Sequence, residues 1–290
     1  MTQAKAFQAL FVSVVLFGGV WPLTKYALQD ATPLWFGFTR AALAAVSAAA
    51  LLGMLGRLRI PSRRDVPALL AVGLLQIGSF FAMAHIAISL IPAGRTAILG
   101  NVTIFWLVPL SVWLLGEPVS RQRWLAAGIG LLGVGVMIGP WAIDWTAPGV
   151  VFGHLLLLGA SLCWALAIVS LRLWPPRLPV FELLPGIFVL GALVILPFAL
   201  WREPPSRGGG IGGGAWWAAA FIGIIAAPIG TWATVEAGRH LNAVVASVGF
   251  LLVPLLGVFL AITWLGESLA WDMALGGALV VLSVIVAAKG

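Results

Sequence analysis

Charge is scarce in this sequence: Asp, Glu, Lys and Arg make up 9% of its 290 residues, against roughly 25% in a soluble domain. Hydrophobic residues make up 62%. A chain this apolar has too little polar surface for water, which excludes an ordinary soluble globule, whereas lipid solvates such side chains directly. Cysteine is reduced to Cys163, which excludes a disulfide framework. It lies in an apolar run without ligand spacing and reads as packing. Acidic residues number nine and histidines three. There is no metal-ligand spacing, no nucleophile with a base partner, no Walker motif and no dinucleotide fingerprint. The sequence therefore implies no metal, no cofactor, no enzyme and no ATP-driven cycle within this chain. The net charge of +7 comes without a basic stripe interleaved with exposed aromatics, so nucleic acid is not an expected partner.

What is present is a succession of long apolar runs. A spanning helix needs about 20 mostly apolar residues, and ten runs qualify: Phe7–Leu28, Pro33–Leu55, Val66–Ile91, Ala93–Leu115, Arg121–Ile138, Gly149–Leu173, Val180–Leu200, Ala215–Ala237, Asn242–Leu265 and Trp271–Ala287. The first is too long for a signal peptide core and reads as a membrane helix. The stretch from Gly208 to Gly214 reads as the one flexible connector of any length.

Placing the N-terminus inside and alternating puts Lys5, Arg57, Arg59, Arg63, Arg64, Arg121, Arg123, Arg172, Arg177, Arg239 and Lys289 on the inside. Only Lys25, Arg95, Arg202 and Arg207 fall outside, and Arg40 lies within a helix. Eleven against four obeys the positive-inside rule. Both termini are then expected in the cytoplasm, in an inner (plasma) membrane.

The chain also repeats itself. Leu115-Gly116-Glu117 recurs as Leu265-Gly266-Glu267, an offset of 150 residues, and at that offset Gly73 meets Gly223, Ala87 meets Ala237 and Ala93 meets Ala243. The reading is an all-α membrane protein of ten transmembrane helices in two halves, 1–145 and 146–290. Five is odd, so the second half enters the bilayer inverted, an architecture that recurs in transporters.

On these motifs the chain resembles the drug/metabolite transporter superfamily in its bacterial ten-helix EamA form. Each EamA repeat ends in a helix, a Leu-Gly-Glu turn and a glycine-rich last helix, here Val108–Glu117 with Ala126–Gly139 and Leu251–Glu267 with Gly276–Ala287. Phe17-Gly18-Gly19 resembles the family's aromatic-Gly-Ser start, and Lys25 and Arg40 fall on its frequent basic positions. Pro254 fits the family's proline thirteen residues before the Glu; in the first half that place is Ile104, and Pro109 follows five residues later. Pro109 and Pro254 are the expected hinges. The resemblance implies export of small metabolites, with amino acids, aromatic or hydrophobic ones first, as in YddG-like exporters. The alternatives are a multidrug or other metabolite permease, or a channel-like or structural membrane protein without a transport cycle. The expected partners are a small-molecule substrate and the lipid bilayer; oligomeric state is open, and a monomer is compatible with everything above.

Candidate substrate-binding residues follow from the cost of polar groups in lipid. Lys25 and Arg40 are the charges best placed to attract a carboxylate, with snorkelling as the alternative reading. On the third span Gln76, Ser79, Phe80 and Met83 form one face, while His85 lies about 180° from Gln76 on an α-helical wheel and ranks below them. Asn101, Thr103, Thr231, Thr234 and Ser247 are further polar groups at depth, which in bundles also serve as interhelical glue. Trp35, Trp124, Trp216, Trp217 and Trp271 read as interfacial belts; Trp21, Trp106, Trp164 and Trp232 are deeper and are candidates to line an apolar cavity. Glu117 and Glu267 are expected to cap the helix that follows each, and Gly135 and Gly139 to permit close helix contact. The expected cavity lies among helices one, three, four, six, eight and nine, with five and ten as scaffold.

Overall fold

Across a bilayer a backbone can satisfy its N–H and C=O groups only in helices or closed barrels. In the computed structural model, which describes residues 3–116, 118–138, 141, 144, 146–241, 249–250 and 252–288, the chain is helical, with one isolated antiparallel bridge between Ala31 and Ile211. The helices are α1 (Gln3–Ala27), α2 (Pro33–Met54), α3 (Val66–Leu90), α4 (Ala93–Leu99), α5 (Ile104–Leu115), α6 (Arg121–Ile138), α7 (Val150–Leu173), α8 (Val180–Arg202), α9 (Gly213–Ala220 continuing through Phe221–Ala226 into Ala227–His240), α10 (Leu252–Leu265) and α11 (Trp271–Ala288). Six of them, α1, α2, α3, α7, α8 and α9, are long and apolar enough to cross a membrane. Glu117, Gly139, Ala243, Ser247 and Lys289 lie outside the described residues.

Two local features depart from regular α-helices. Residues Ala71–Ser79 of α3 and Phe221–Ala226 of α9 are π-helical, and they begin 150 residues apart. A π-turn carries an extra residue per loop of hydrogen bonds and shifts the phase of everything beyond it. The expected span 93–115 is broken: residues 100–103 turn through tight Asn101 N–H to Ile98 and Val102 N–H to Leu99 bonds between α4 and α5. The break falls where the Trp21 indole presses on Gly100; a Cβ there would sit 2.9 Å from Trp21 Cη2. Pro109, an expected hinge, lies inside the continuous α5, and Pro254 is buried in the first turn of α10.

Helix packing in lipid has no hydrophobic drive and rests on close contact between small residues. The α6–α11 pair shows it. A Cβ on Gly133 would lie 2.7 Å from the Gly276 carbonyl oxygen, and one on Gly276 would run into Met137. Gly133 therefore does the work expected of Gly135, which has open space around it. The other principal pairings are α2 with α8, α1 with α10 and α9, α7 with α5 and α3, α3 with α8, and α9 with α2. At the 150-residue offset each pairing is its own counterpart or has one in this set.

At one end of the bundle the helix connections are tied together. Gly212 N–H donates to the Asp30 carbonyl, Gly214 N–H to the Asp30 carboxylate and Thr32 N–H to the Gly210 carbonyl. The glycine-rich stretch is thus pinned along residues 30–32 rather than free. Glycine is required there because a Cβ on Gly212 would collide with the Asp30 carboxylate. At the other end Arg57 pairs with Glu182 at 2.7 Å, and Asp65 joins the α2–α3 and α7–α8 connections. Its carboxylate accepts from Ser62 Oγ (2.6 Å), Leu178 N–H (2.9 Å) and Arg177 N–H (2.7 Å).

These bonds, the Ser62 hydroxyl first, hold the Asp65 pKa at about 2, below its ordinary 3.8. The group favours the folded state when ionised, so its contribution is complete above its ordinary pKa and is lost as pH falls through about 2. The thermal unfolding temperature in detergent is expected to fall between pH 5 and 2 in the wild type and to fall less steeply in Asp65→Asn. Identical slopes would show that Asp65 carries none of the acid sensitivity.

Candidate functional site

A cavity of about 370 Å³ runs into the middle of the bundle, within the size range of small-molecule sites. It extends from Val180, the first residue of α8, at the end where Arg57 and Asp65 lie. Its far wall is aromatic: Trp21 and Phe80 meet edge-on at 6.3 Å, Phe80 and Trp164 at 4.8 Å, and Phe80 and Phe81 at 5.4 Å. Aromatic pairs in such offset and T-shaped arrangements are rigid apolar surfaces. Gln76, Asn101, Thr103, Thr231 and Thr234 add neutral polar groups, and the Thr234 hydroxyl has no hydrogen-bond partner among the described residues.

Arg40 is the charge in this wall. It is 7% exposed, its guanidinium lies 4.0 Å over the Phe81 ring, and Nη1 approaches His85 Nε2 at 3.3 Å. The His85 Nδ1 sits against the Phe81 carbonyl oxygen. A carbonyl only accepts, so Nδ1 carries the proton, and Nε2 of the neutral ring accepts from Arg40. One guanidinium N–H is spent in this way, and among the described residues no carboxylate pairs with Arg40.

Nine of the sequence candidates line this cavity: Trp21, Arg40, Gln76, Phe80, Asn101, Thr103, Trp164, Thr231 and Thr234. The others fall elsewhere. Lys25 donates to the carbonyls of Ile88 (2.6 Å) and Ile91 (3.0 Å) at the end of α3, which leaves it a cap rather than a ligand group. Met83 packs its sulfur near Gly159 of α7, and Ser79 does not reach the cavity wall. Trp106 donates to Ser161 Oγ at 2.9 Å and ties α5 to α7. Trp232 is 40% exposed on the outside of the bundle.

His85 lines a smaller cavity of about 30 Å³, which shares Trp21, Arg40 and Phe81 with the larger one. The α-helical wheel separated His85 from Gln76, and the two line different cavities, although the π-turn at 71–79 alters the phase between them. Neighbouring Phe81, which carries the contacts to Arg40 and His85, was missed by sequence reasoning. So were α2 and α8 as walls: Arg40 belongs to α2, and Leu184, Ile187 and Phe188 of α8 complete the lining. The smaller cavity leads toward the tied end of the bundle.

There Glu267 accepts from the N–H groups of Ala93 (2.6 Å) and Gly94 (2.9 Å). It caps α4, not the helix that follows it. Left-handed Gly266, φ 71°, turns the chain off α10. That helix packs on α4, where a Cβ on Gly257 would stand 3.1 Å from Ala97 Cβ, so the carboxylate reaches across rather than onward.

The EamA-like transporter family model matches residues 4–139 and again residues 151–288. The chain belongs to the EamA-like transporter family. It is similar to the uncharacterized transporter YvbV of Bacillus subtilis (strain 168), 26% identical over 283 residues that cover 93% of this chain and 87% of the relative. It is similar to Protein PecM of Dickeya dadantii (strain 3937), 27% identical over 64% of this chain and 61% of that one. A probable terminal-alkyne amino-acid exporter of Streptantibioticus cattleyicolor is 22% identical over 98% of this chain and 94% of its own. A crystal structure with 20% sequence identity superposes with a TM-score of 0.67 over 99% of this chain and 98% of the other, which gives the fold of this EamA-like transporter a solved counterpart.

Trp164 and Trp106, both expected at depth, differ in what they touch: Trp164 lines the cavity and Trp106 bonds Ser161. In this EamA-like transporter Trp164→Ala removes an aromatic wall and is expected to weaken substrate half-saturation by about 3- to 10-fold, the scale of one aromatic contact. Trp106→Ala is expected to leave half-saturation within about twofold and to lower the unfolding temperature, because it removes the partner of Ser161. Equal effects on half-saturation would refute the assignment of Trp164, and not Trp106, to the cavity.

Proposed function

We propose that this protein exports small metabolites with an apolar body and a carboxylate, amino acids with aromatic or hydrophobic side chains among them, from the cytoplasm across the inner membrane. The observation that carries this reading is the pairing of an aromatic wall with the Arg40 guanidinium, which meets no carboxylate among the described residues. A guanidinium offers a planar fork of donors that matches a carboxylate, and the aromatic rings take the rest of the ligand.

The proposed cycle is alternating access of two inverted five-helix halves, residues 1–145 and 146–290. The double match of the family model and the helix pairings that recur at the 150-residue offset support it. With both termini in the cytoplasm, as the arginine distribution favours, the cavity mouth near Val180 faces inward and the tied end faces outward. A relative named as an amino-acid exporter is in keeping with the substrate class.

Uptake of labelled amino acids into proteoliposomes tests the reading. Saturable, protein-dependent flux of a hydrophobic amino acid is expected. Saturable flux of cationic dyes alone would replace it with a multidrug permease, and no saturable flux of any amino acid, metabolite or dye would sink it.

A further inference from the structure

We propose that the cavity selects by net charge: it takes apolar monocarboxylates ahead of the zwitterionic amino acids of the same skeleton, and it rejects the corresponding amines. This deepens the transporter reading and rests on the cavity being the substrate site.

The chain has nine carboxylates, and eight lie among the described residues. Asp30 and Glu203 bind backbone N–H groups at the tied end, of Gly214 and of Leu34 and Trp35 respectively. Glu267 caps α4, and Asp272 pairs with Arg95 at 2.6 Å. Asp144 folds onto Thr146 in the α6–α7 connection. At the opposite end Asp65 holds Arg177 and Leu178, Glu182 holds Arg57, and Glu236 lies 3.7 Å from His240. None of the eight lines the cavity. The ninth, Glu117, follows α5 outside the described residues.

Arg40 is thus the charge of the wall, uncompensated among the described residues. A carboxylate supplies the missing counter-charge. Among the described lining residues an ammonium group finds aromatic faces and neutral oxygens, the amides of Gln76 and Asn101 and the threonine hydroxyls, but no carboxylate. The Asn101 amide is oriented for this role, since its Nδ2 donates to the Ala97 carbonyl at 2.7 Å and leaves its oxygen free to accept. A neutral oxygen solvates an ammonium only in part, and a buried charge without a counter-charge is costly. The same arrangement repels a simple amine, which brings a second positive charge beside Arg40.

Three ligands of one skeleton separate these contributions without any mutation: phenylpropanoate, phenylalanine and phenylethylamine, each competing for labelled flux in wild-type proteoliposomes at pH 7. Phenylpropanoate is expected to half-saturate at a concentration about tenfold below phenylalanine, and phenylethylamine not to compete. Gln76→Glu, which places a carboxylate in the wall, is expected to erase or reverse the preference for the anion. Phenylalanine binding as well as or better than phenylpropanoate overturns the inference while the exporter reading stands. So does competition by phenylethylamine, or an unchanged preference in Gln76→Glu. Absence of saturable flux for these ligands and for every amino acid removes both.

Discussion

Arg40→Gln is expected to lower carboxylate transport by roughly 30-fold or more while leaving the protein folded. The magnitude follows from the site. Removing one partner of a buried, hydrogen-bonded charge pair costs about 2–5 kcal/mol, which converts to that loss in affinity or more. In the proposed site the lost partner is the counter-charge of a substrate carboxylate, because the described carboxylates are all engaged at the ends of the bundle. Gln keeps an amide donor for His85 Nε2, so the contact to α3 is the less affected of the two. Arg40→Lys keeps the charge but not the planar fork and is expected to fall between the two. Flux in proteoliposomes at matched protein incorporation, with tryptophan fluorescence as the check on folding, measures the effect. Flux in Arg40→Gln within about threefold of the wild type would remove Arg40 from the site.

The second large effect concerns stability. Arg95 and Asp272 meet at 2.6 Å with side chains 9% and 3% exposed, and Arg95 also donates to the Met137 carbonyl at 2.6 Å. This one side chain fastens α4 to the α6–α11 pair. Asp272→Ala leaves the guanidinium buried with one neutral acceptor and is expected to destabilise the protein by about 3–5 kcal/mol. Replacing both, Arg95→Met with Asp272→Leu, is expected to restore most of that loss, because the penalty belongs to the stranded charge rather than to the absent pair. Unfolding in mixed micelles measures both. A single substitution costing no more than the double would refute the account.

How far the molecule is legible in its sequence depends on the range of the interaction involved. The six long helices were read from apolar length alone, since the bilayer imposes that length. The Leu-Gly turns were visible because left-handed Gly116 and Gly266, φ 64° and 71°, need glycine at their places. Arg40 stood out because a charge at depth must find a partner or a ligand. The break at residues 100–103 was hidden because its cause, the Trp21 indole against Gly100, lies on another helix. The reach of Glu267 to α4 was hidden for the same reason: its 174-residue separation leaves no trace in local pattern. His85 ranked below the Gln76 face on a regular wheel, and the two do line different cavities, Gln76 the larger and His85 the smaller. A wheel of constant pitch does not carry across the π-turn at residues 71–79. Met83 and Ser79 were assigned to the cavity by the same wheel.

In the proposed cycle one cavity serves both sides of the membrane in turn, and counterflow tests this most directly. Proteoliposomes preloaded with unlabelled phenylpropanoate or phenylalanine and diluted into trace label should accumulate label transiently above its external concentration, because an alternating site exchanges one ligand for another. Label that rises only to equilibrium, with no overshoot at any preload, would mark a channel-like pore and contradict the account.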